Sequence, residues 1–289
     1  MVIVSGTTRL LGVIGDPVEH SFSPLMHNAA IAAMGLDYVY VPLPVKAADL
    51  AVAVDGFAAI GLRGFSITIP HKQAILPLLS QVSPVAQAVG AVNTVWREAD
   101  GWHGTNTDIA GFLAPLRSLR SQWQGTVAVV LGNGGAARAV VAGCNQLGCA
   151  EIIVVGRNSE KLQAFQQSWP EGELKEKLSL VHWSDAAAAI ARAQLLVNAT
   201  PIGMAPRVDA SPLDEAAIAA IQPETVAYDL IYTPNPTRFL QQAHDRGAVA
   251  LDGLEMLVQQ GAAALEIWTG QSPPADIMRR TLRQHLGLE

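Results

Sequence analysis

Between residues 126 and 155 an apolar run, a glycine turn, a helix-like run and a second apolar run follow one another. No other feature limits the fold as much. Thr126 to Leu131 reads as a buried strand, Gly132-Asn133-Gly134-Gly135-Ala136-Ala137 as a tight turn, Arg138 to Leu147 as a helix and Glu151 to Val155 as a second strand. This order matches the dinucleotide-binding unit of a Rossmann-like α/β domain. The glycines allow the chain to reverse and a pyrophosphate to approach the backbone, while the helix N-terminus presents unpaired N–H groups to the anion. By itself the glycine turn also fits an ordinary strand-to-helix turn or the cofactor loop of a methyltransferase.

The end of the second strand bears on which dinucleotide is bound. An NAD site usually has an acidic residue there, about 20 residues past the glycines, to accept from the ribose 2′-hydroxyl. This chain has Gly156-Arg157-Asn158 instead, with Lys161 one turn later. A guanidinium and an ammonium suit a 2′-phosphate, and a carboxylate would repel it. NADP(H) is therefore expected rather than NAD(H), although Arg157 also fits a solvated surface arginine.

The net charge of −6, from 25 acidic and 19 basic residues, leaves no basic stripe for nucleic acid. No apolar run reaches the roughly 18 residues of a membrane span. Residues Met1 to Leu11 lack the basic start and continuous apolar core of a signal peptide. Cys144 and Cys149 form no CxxC pair and read as free or buried thiols, and the seven histidines show no metal spacing. A cytoplasmic enzyme acting on a small molecule is expected, as a monomer or homodimer, without metal, nucleic acid or membrane partner.

The first hundred residues read as another α/β unit with a mostly parallel sheet. Strands are predicted at Arg9 to Ile14, Asp37 to Leu43 and Gly64 to Ile69, with helices at Pro24 to Met34, Ala47 to Ile60, Lys72 to Leu79 and Pro84 to Val89. A hairpin from Ala91 to Thr107 and a helix from Ile109 to Leu119 follow. The second unit continues with a helix at Ser159 to Ser168, a surface stretch around Pro170 to Glu176, and strands at Leu195 to Ala199, Val226 to Tyr232 and Ala248 to Leu251. Helices are predicted at Thr237 to Arg246, Gly253 to Trp268 and Ala275 to Leu286.

Three strand ends in the first unit are unusually polar. After the first strand comes Gly15-Asp16-Pro17-Val18-Glu19-His20-Ser21-Phe22-Ser23-Pro24, where Ser23 before Pro24 reads as a helix N-cap. Capping does not explain Ser21, and two hydroxyls at a helix start suit a carboxylate. After the third strand, Lys72 is predicted in the first turn of a helix, where it opposes the macrodipole; it also fits a solvated lysine. Asp108, in Gly104-Thr105-Asn106-Thr107-Asp108, suits a helix first turn or a catalytic carboxylate, and Asn93 a turn or strand edge.

Taken together, these segments resemble the shikimate dehydrogenase family over essentially the whole chain. GDPVEHSFSP, ITIPHK, GAVNT, TNTD, LGNGGAARA, GRN, VNATPIGM, YDLIY and DGLEMLVQQ occur in the family's order, with ITIPHK and TNTD the most specific. The resemblance implies an NADPH-dependent, reversible reduction of 3-dehydroshikimate to shikimate. It implies Lys72 and Asp108 as the catalytic pair and Ser21 and Ser23 as carboxylate contacts. Thr68, Asn93, Tyr232 and Gln260 would contact the substrate ring. Gly132, Asn133, Gly134, Gly135, Ala136, Asn198, Thr200, Met204, Leu230 and Gly253 would line the cofactor site. The expected division is a substrate domain at 1–108, a Rossmann-like NADP domain at 109–252, and C-terminal helices at 253–289 that return to the substrate domain.

Ser66 stands where the family usually has Asn, and Gly156 where it usually has Asn before the arginine. A quinate/shikimate dehydrogenase and a catalytically silent ligand-sensing Rossmann module are the alternatives. Having both Lys72 and Asp108 argues against the sensor.

Overall fold

Short apolar runs separated by amphipathic helices can bury both faces only in a layered α/β arrangement, and the chain forms two of them. The structure is a computed structural model and describes residues 4–288. One unit comprises the residues up to Gly111 together with those from Leu257 onward; the other is Phe112–Met256.

The first unit contains β1 (Arg9–Gly15), α1 (Ser23–Ala33), β2 (Tyr38–Pro44), α2 (Leu50–Ala59), β3 (Gly64–Ile67), β4 (Gln81–Val82), α3 (Pro84–Val89), β5 (Thr94–Glu98), β6 (Gly101–Thr105) and the start of α4 (Asp108–Leu119). Its sheet has the order β2-β1-β3-β5-β6-β4. β1 lies parallel between β2 and β3, so its end at Gly15 and the end of β3 at Ile67 open toward the same side. The hairpin β5–β6 joins antiparallel to β3.

The second unit carries β7 (Val127–Leu131), α5 (Gly135–Gln146), β8 (Glu151–Gly156), α6 (Ser159–Gln167), α7 (Glu173–Glu176), β9 (Leu178–His182), α8 (Ala186–Ile190), β10 (Leu195–Asn198), α9 (Glu215–Ala219), β11 (Val226–Asp229), α10 (Arg238–Asp245) and β12 (Val249–Leu251). All its strands are parallel, in the order β12-β11-β10-β7-β8-β9. In sequence terms this is the 3-2-1-4-5-6 order of a doubly wound sheet. Its direction of winding reverses between β7 and β10, where such sheets open a crevice at their carboxyl ends. The last helices are α11 (Leu254–Thr269) and α12 (Ala275–Leu286), and α12 packs on α1.

Alternation along β3 divides the first unit's interior. Phe65 and Ile67 join an apolar cluster with Ile14, Phe57, Leu62 and Trp102. Ser66 lies between them in sequence and so points to the opposite face. A buried aromatic group lies in this unit: His27 stacks on Tyr40 with centroids 4.2 Å apart, and Trp268 of α11 tilts against both rings. The Trp268 indole donates to the Val95 carbonyl at 2.9 Å, which anchors α11 to the sheet.

Several predicted elements are corrected. No α-helix spans Lys72 to Leu79; the segment is a run of turns with a short 3₁₀ turn at Leu76–Leu78. The Lys72 carbonyl accepts from Val92 N–H at 2.8 Å, Leu76 N–H turns to Gln73, and Pro77 has no N–H to give. The macrodipole argument for Lys72 therefore falls. The strand from Val226 stops at Asp229 because the Asp229 carboxylate accepts from Ile231 N–H and turns the chain. The helix predicted from Ala47 opens as a 3₁₀ turn, Ala47–Asp49, before α2. Five short elements, β4, α7, β9, α8 and α9, lie in stretches where the sequence carries no strand or helix pattern.

His27 is buried with neither ring nitrogen hydrogen-bonded, and burial pushes its pKa down to about 3. A folded-state pKa below the unfolded value of about 6.5 gives stability that is present above pH 6.5 and is lost as pH falls toward 3. The loss expected by pH 5 is about 2 kcal/mol. Denaturant titrations at pH 7 and pH 5 should therefore show a steeper decline for the native protein than for His27→Phe. Parallel declines would remove His27 as the cause.

Candidate active site

In the first unit, four of the predicted side chains form one hydrogen-bonded group. Lys72 follows the turn after β3, and its Nζ lies 2.5 Å from Oδ2 of Asp108, the first residue of α4. Both side chains are largely withdrawn from solvent, at 17% and 7% exposure. Asp108 Oδ1 accepts from Asn93 Nδ2 at 2.8 Å, and the same amide group reaches Thr107 Oγ1 at 2.9 Å and Gln260 Oε1 at 3.3 Å. Asn93 Oδ1 in turn accepts from Thr107 N–H at 2.7 Å and from the Thr94 hydroxyl at 3.0 Å. Asn93 thus ties the start of β5 to the start of α4.

The Thr-Asn-Thr-Asp segment is held by its own side chains as well. Asn106 Oδ1 accepts from Asp108 N–H at 3.0 Å, and Asn106 Nδ2 donates to the Ala91 carbonyl at 3.0 Å. Asp108 therefore combines a favourable place in a helix first turn with a buried ion pair. Lys72 Nζ has no other protein partner among the described residues, so two of its N–H bonds are left for a ligand.

Ser21, Ser23 and Thr68 belong to the same strand ends, those of β1 and β3. The Ser23 reading as an N-cap is corrected. Helix α1 starts at Ser23 itself, the preceding Phe22 occupies the cap position, and no side chain caps the end. The Ser21 hydroxyl accepts from Ser23 N–H at 3.3 Å. The Ser23 and Thr68 hydroxyls make no side-chain hydrogen bond among the described residues. Gln260 donates to the Leu257 carbonyl while accepting from Asn93, so both ends of its amide are engaged. Ser66 is buried beside the Tyr40 phenol, and neither hydroxyl has a well-formed hydrogen bond. Tyr232 lies in the second unit, beyond the end of β11.

In the second unit, the glycine turn stands at the switch point between β7 and β10. Gly132 has φ +101°, and a Cβ there would lie 2.9 Å from the Thr200 methyl group. Helix α5 begins at Gly135 with Gly134 at its cap and no side-chain cap, so Asn133, Gly134, Gly135 and Ala136 border an open helix N-terminus. Asn198 and Thr200 follow β10. Asn198 Oδ1 accepts from the Thr200 hydroxyl at 2.7 Å, and Asn198 Nδ2 donates to Asp229 at 3.0 Å. Asp229 also accepts from Thr237 at 2.7 Å, and its burial pushes its pKa up to about 6. Met204 is exposed in the loop that follows, and the Leu230 carbonyl lies where a Cβ on Gly253 would stand.

At the end of β8, Arg157 and Lys161 are exposed and neither side chain has a protein partner among the described residues. The Asn158 side chain caps α6 by accepting from Lys161 N–H at 2.8 Å. His182, which ends β9, was not singled out from sequence; its Nε2 lies 3.0 Å from the Arg157 carbonyl and braces that turn. The signal was available only through β9, which pairs His182 with Gly156. A Cβ on Gly156 would come within 2.7 Å of buried Leu162, so the absence of a side chain there lets α6 pack closely. Among the described residues no group of three His, Cys, Asp or Glu side chains is placed to hold a metal, and no helix is long and apolar enough to cross a membrane.

Comparison with known proteins agrees with this layout. Residues 13–95 match the shikimate dehydrogenase substrate binding domain, and residues 253–283 match the shikimate 5′-dehydrogenase C-terminal domain. A curated relative from Trichormus variabilis, a shikimate dehydrogenase (NADP(+)), is 59% identical over 288 residues, covering 99% of this chain and 100% of its own. A shikimate dehydrogenase solved in complex with NADP⁺ superposes with a TM-score of 0.89 at 36% identity, covering 98% of each chain. The enzyme from Thermus thermophilus, solved with shikimate, gives a TM-score of 0.83 at 36% identity over 97% of this chain and 100% of its own. The Lys72–Asp108 pair, the open glycine turn and this full-length likeness together show that the chain belongs to the shikimate dehydrogenase family.

Proposed function

We propose that this protein catalyses the reversible, NADPH-dependent reduction of 3-dehydroshikimate to shikimate. The observation that carries the reading is the shielded Lys72–Asp108 pair, whose ammonium has N–H bonds to spare at the end of a strand parallel to the one that leads to Ser21 and Ser23. The second unit fits the cofactor: the Gly132 turn packs its bare backbone against Thr200, α5 is uncapped, and Arg157 with Lys161 offers two free cations for a 2′-phosphate.

When bound, the nicotinamide supplies the hydride. The carbonyl oxygen then gains negative charge, and Lys72 Nζ–H stands as the acid that protonates it; in the oxidative direction the neutral amine takes the hydroxyl proton back. Asp108 holds the ammonium in place and accepts from a substrate hydroxyl. Asn93 keeps Asp108 oriented, and Gln260 extends that hydrogen-bonded wall. Ser21 and Ser23, at the uncapped start of α1, receive the ring carboxylate through hydroxyl and backbone N–H groups.

The expected assay result is NADP-linked oxidation of shikimate, preferred over quinate by at least about tenfold in kcat/KM. Quinate's extra hydroxyl would be desolvated without a partner, at about 1–3 kcal/mol. Equal use of the two acids would overturn this assignment.

Lys72→Ala should lower kcat by ~10²- to 10⁴-fold, as for a positioned acid–base group, with cofactor affinity almost unchanged. Asp108→Asn should also lower kcat, and the double variant should fall short of the product of the two losses because the pair acts as a unit. A normal kcat with only a raised KM in Lys72→Ala would make Lys72 a binding residue.

Arg157→Asp should cost NADP about 1.5–3 kcal/mol of binding, roughly tenfold to a hundredfold, and cost NAD less. Steady-state kinetics with both cofactors measure this directly. Equal losses would show that Arg157 does not touch the 2′-phosphate.

A further inference from the structure

The chain's two cysteines meet at the end of α5, away from any residue assigned above. Helix α5 is capped by Leu147, and Gly148 follows at φ +79°. Gly148 N–H donates to the Asn145 carbonyl at 3.0 Å and Cys149 N–H to the Cys144 carbonyl at 3.1 Å. This pair of bonds is the Schellman ending of a helix, in which the residues at the positions of Cys144 and Cys149 bring their side chains into contact. That contact is usually apolar. Here it joins two fully buried thiols.

The same backbone bond limits the span between the two residues. An N···O distance of 3.1 Å, with the covalent bonds on either side, caps the Cα separation at about 7 Å. Ordinary hydrogen-bond angles bring it into the range of about 4.4–6.8 Å that a disulfide spans. We propose that Cys144 and Cys149 are an oxidisable dithiol that closes to an intramolecular disulfide across the end of α5.

The surroundings assign the two sulfurs different parts. Cys149 is drawn toward its thiolate, first by the S–H that Cys144 donates and then by the charges of Lys177 and Arg120, against the opposing effect of burial. The Arg120 guanidinium stacks on Trp123, and its buried Nε and Nη2 atoms have no hydrogen-bond partner. Cys144 is pushed up, foremost by the hydrogen bond it donates to Cys149 and then by burial. Cys149 is therefore the nucleophile and Cys144 the resolving thiol.

A peroxide, close to water in size, is the oxidant suited to a buried thiol. The Cys149 thiolate attacks one oxygen of hydrogen peroxide; the O–O bond breaks, a sulfenic acid forms and, with one proton, water leaves. Cys144 then attacks the Cys149 sulfur, forming the S–S bond and releasing a second water. Two thiols and one peroxide become one disulfide and two waters, a two-electron change.

Because the chain has no other cysteine, mass spectrometry reads the outcome without ambiguity. Intact folded protein treated with hydrogen peroxide, freed of peroxide and then unfolded in the presence of an alkylating reagent should lose two hydrogens, take up no alkylating reagent, and yield a dithiothreitol-sensitive peptide linking 144 to 149. Cys144→Ser should stop at a sulfenic acid on Cys149 that a cyclic 1,3-dione captures, and Cys149→Ser should give no such adduct. The proposal fails if both thiols still alkylate under peroxide that oxidises exposed Met204, or if the bond forms between chains. Equal trapping of the two single variants would overturn the assignment of nucleophile and resolving thiol.

Discussion

A lysine ammonium and a carboxylate this far removed from water are stable only when the remaining valences of the carboxylate are satisfied, and the first unit is arranged around that requirement. Removing one partner of such a pair typically costs ~3–5 kcal/mol because the other charge is left uncompensated. Asn93 meets the requirement by donating to Asp108, and Thr94 and Thr107 fix the Asn93 carbonyl in turn. A polar network of this kind is stabilising only when complete. Among the described residues, Lys72 is the member of this network with N–H bonds that no protein group takes up.

The two units use the same device to place chemistry. In each, adjacent parallel strands end together and polar residues follow the last apolar position. In the first, β1 leads to Ser21 and Ser23 and β3 to Thr68 and Lys72. In the second, β7 leads to Gly132 and β10 to Asn198 and Thr200. The strands are rigid because both faces are buried, so residues just past their ends are positioned well although they lie in loops.

Much of this was legible in the sequence, for identifiable reasons. The long periodic helices and the apolar strands of both sheets were read from their patterns, since burial on two faces forces continuous apolar runs. The ion pair was readable only as residue types at polar strand ends, because Lys72 and Asp108 are 36 residues apart and meet through the sheet. Misreadings arose where the actual hydrogen bonding departed from local preference. Val92 takes the Lys72 carbonyl that a helix would have used, and Ser23 enters α1 instead of capping it. Short elements such as β9 carry too few residues for a pattern, and with β9 the brace from His182 was lost from view.

Gly156 shows how a departure at one position can follow from packing rather than from the ligand. A side chain there would press on Leu162, on the buried face of α6, and α6 presents the Asn158 cap and Lys161. Keeping the helix close to β8 holds Arg157 in the turn between them, with His182 fixing its carbonyl from the neighbouring strand. A side chain at 156 would have to push the Leu162 side chain aside. In this chain the close packing is kept, and the two cations at this strand end, Arg157 and Lys161, both stand exposed.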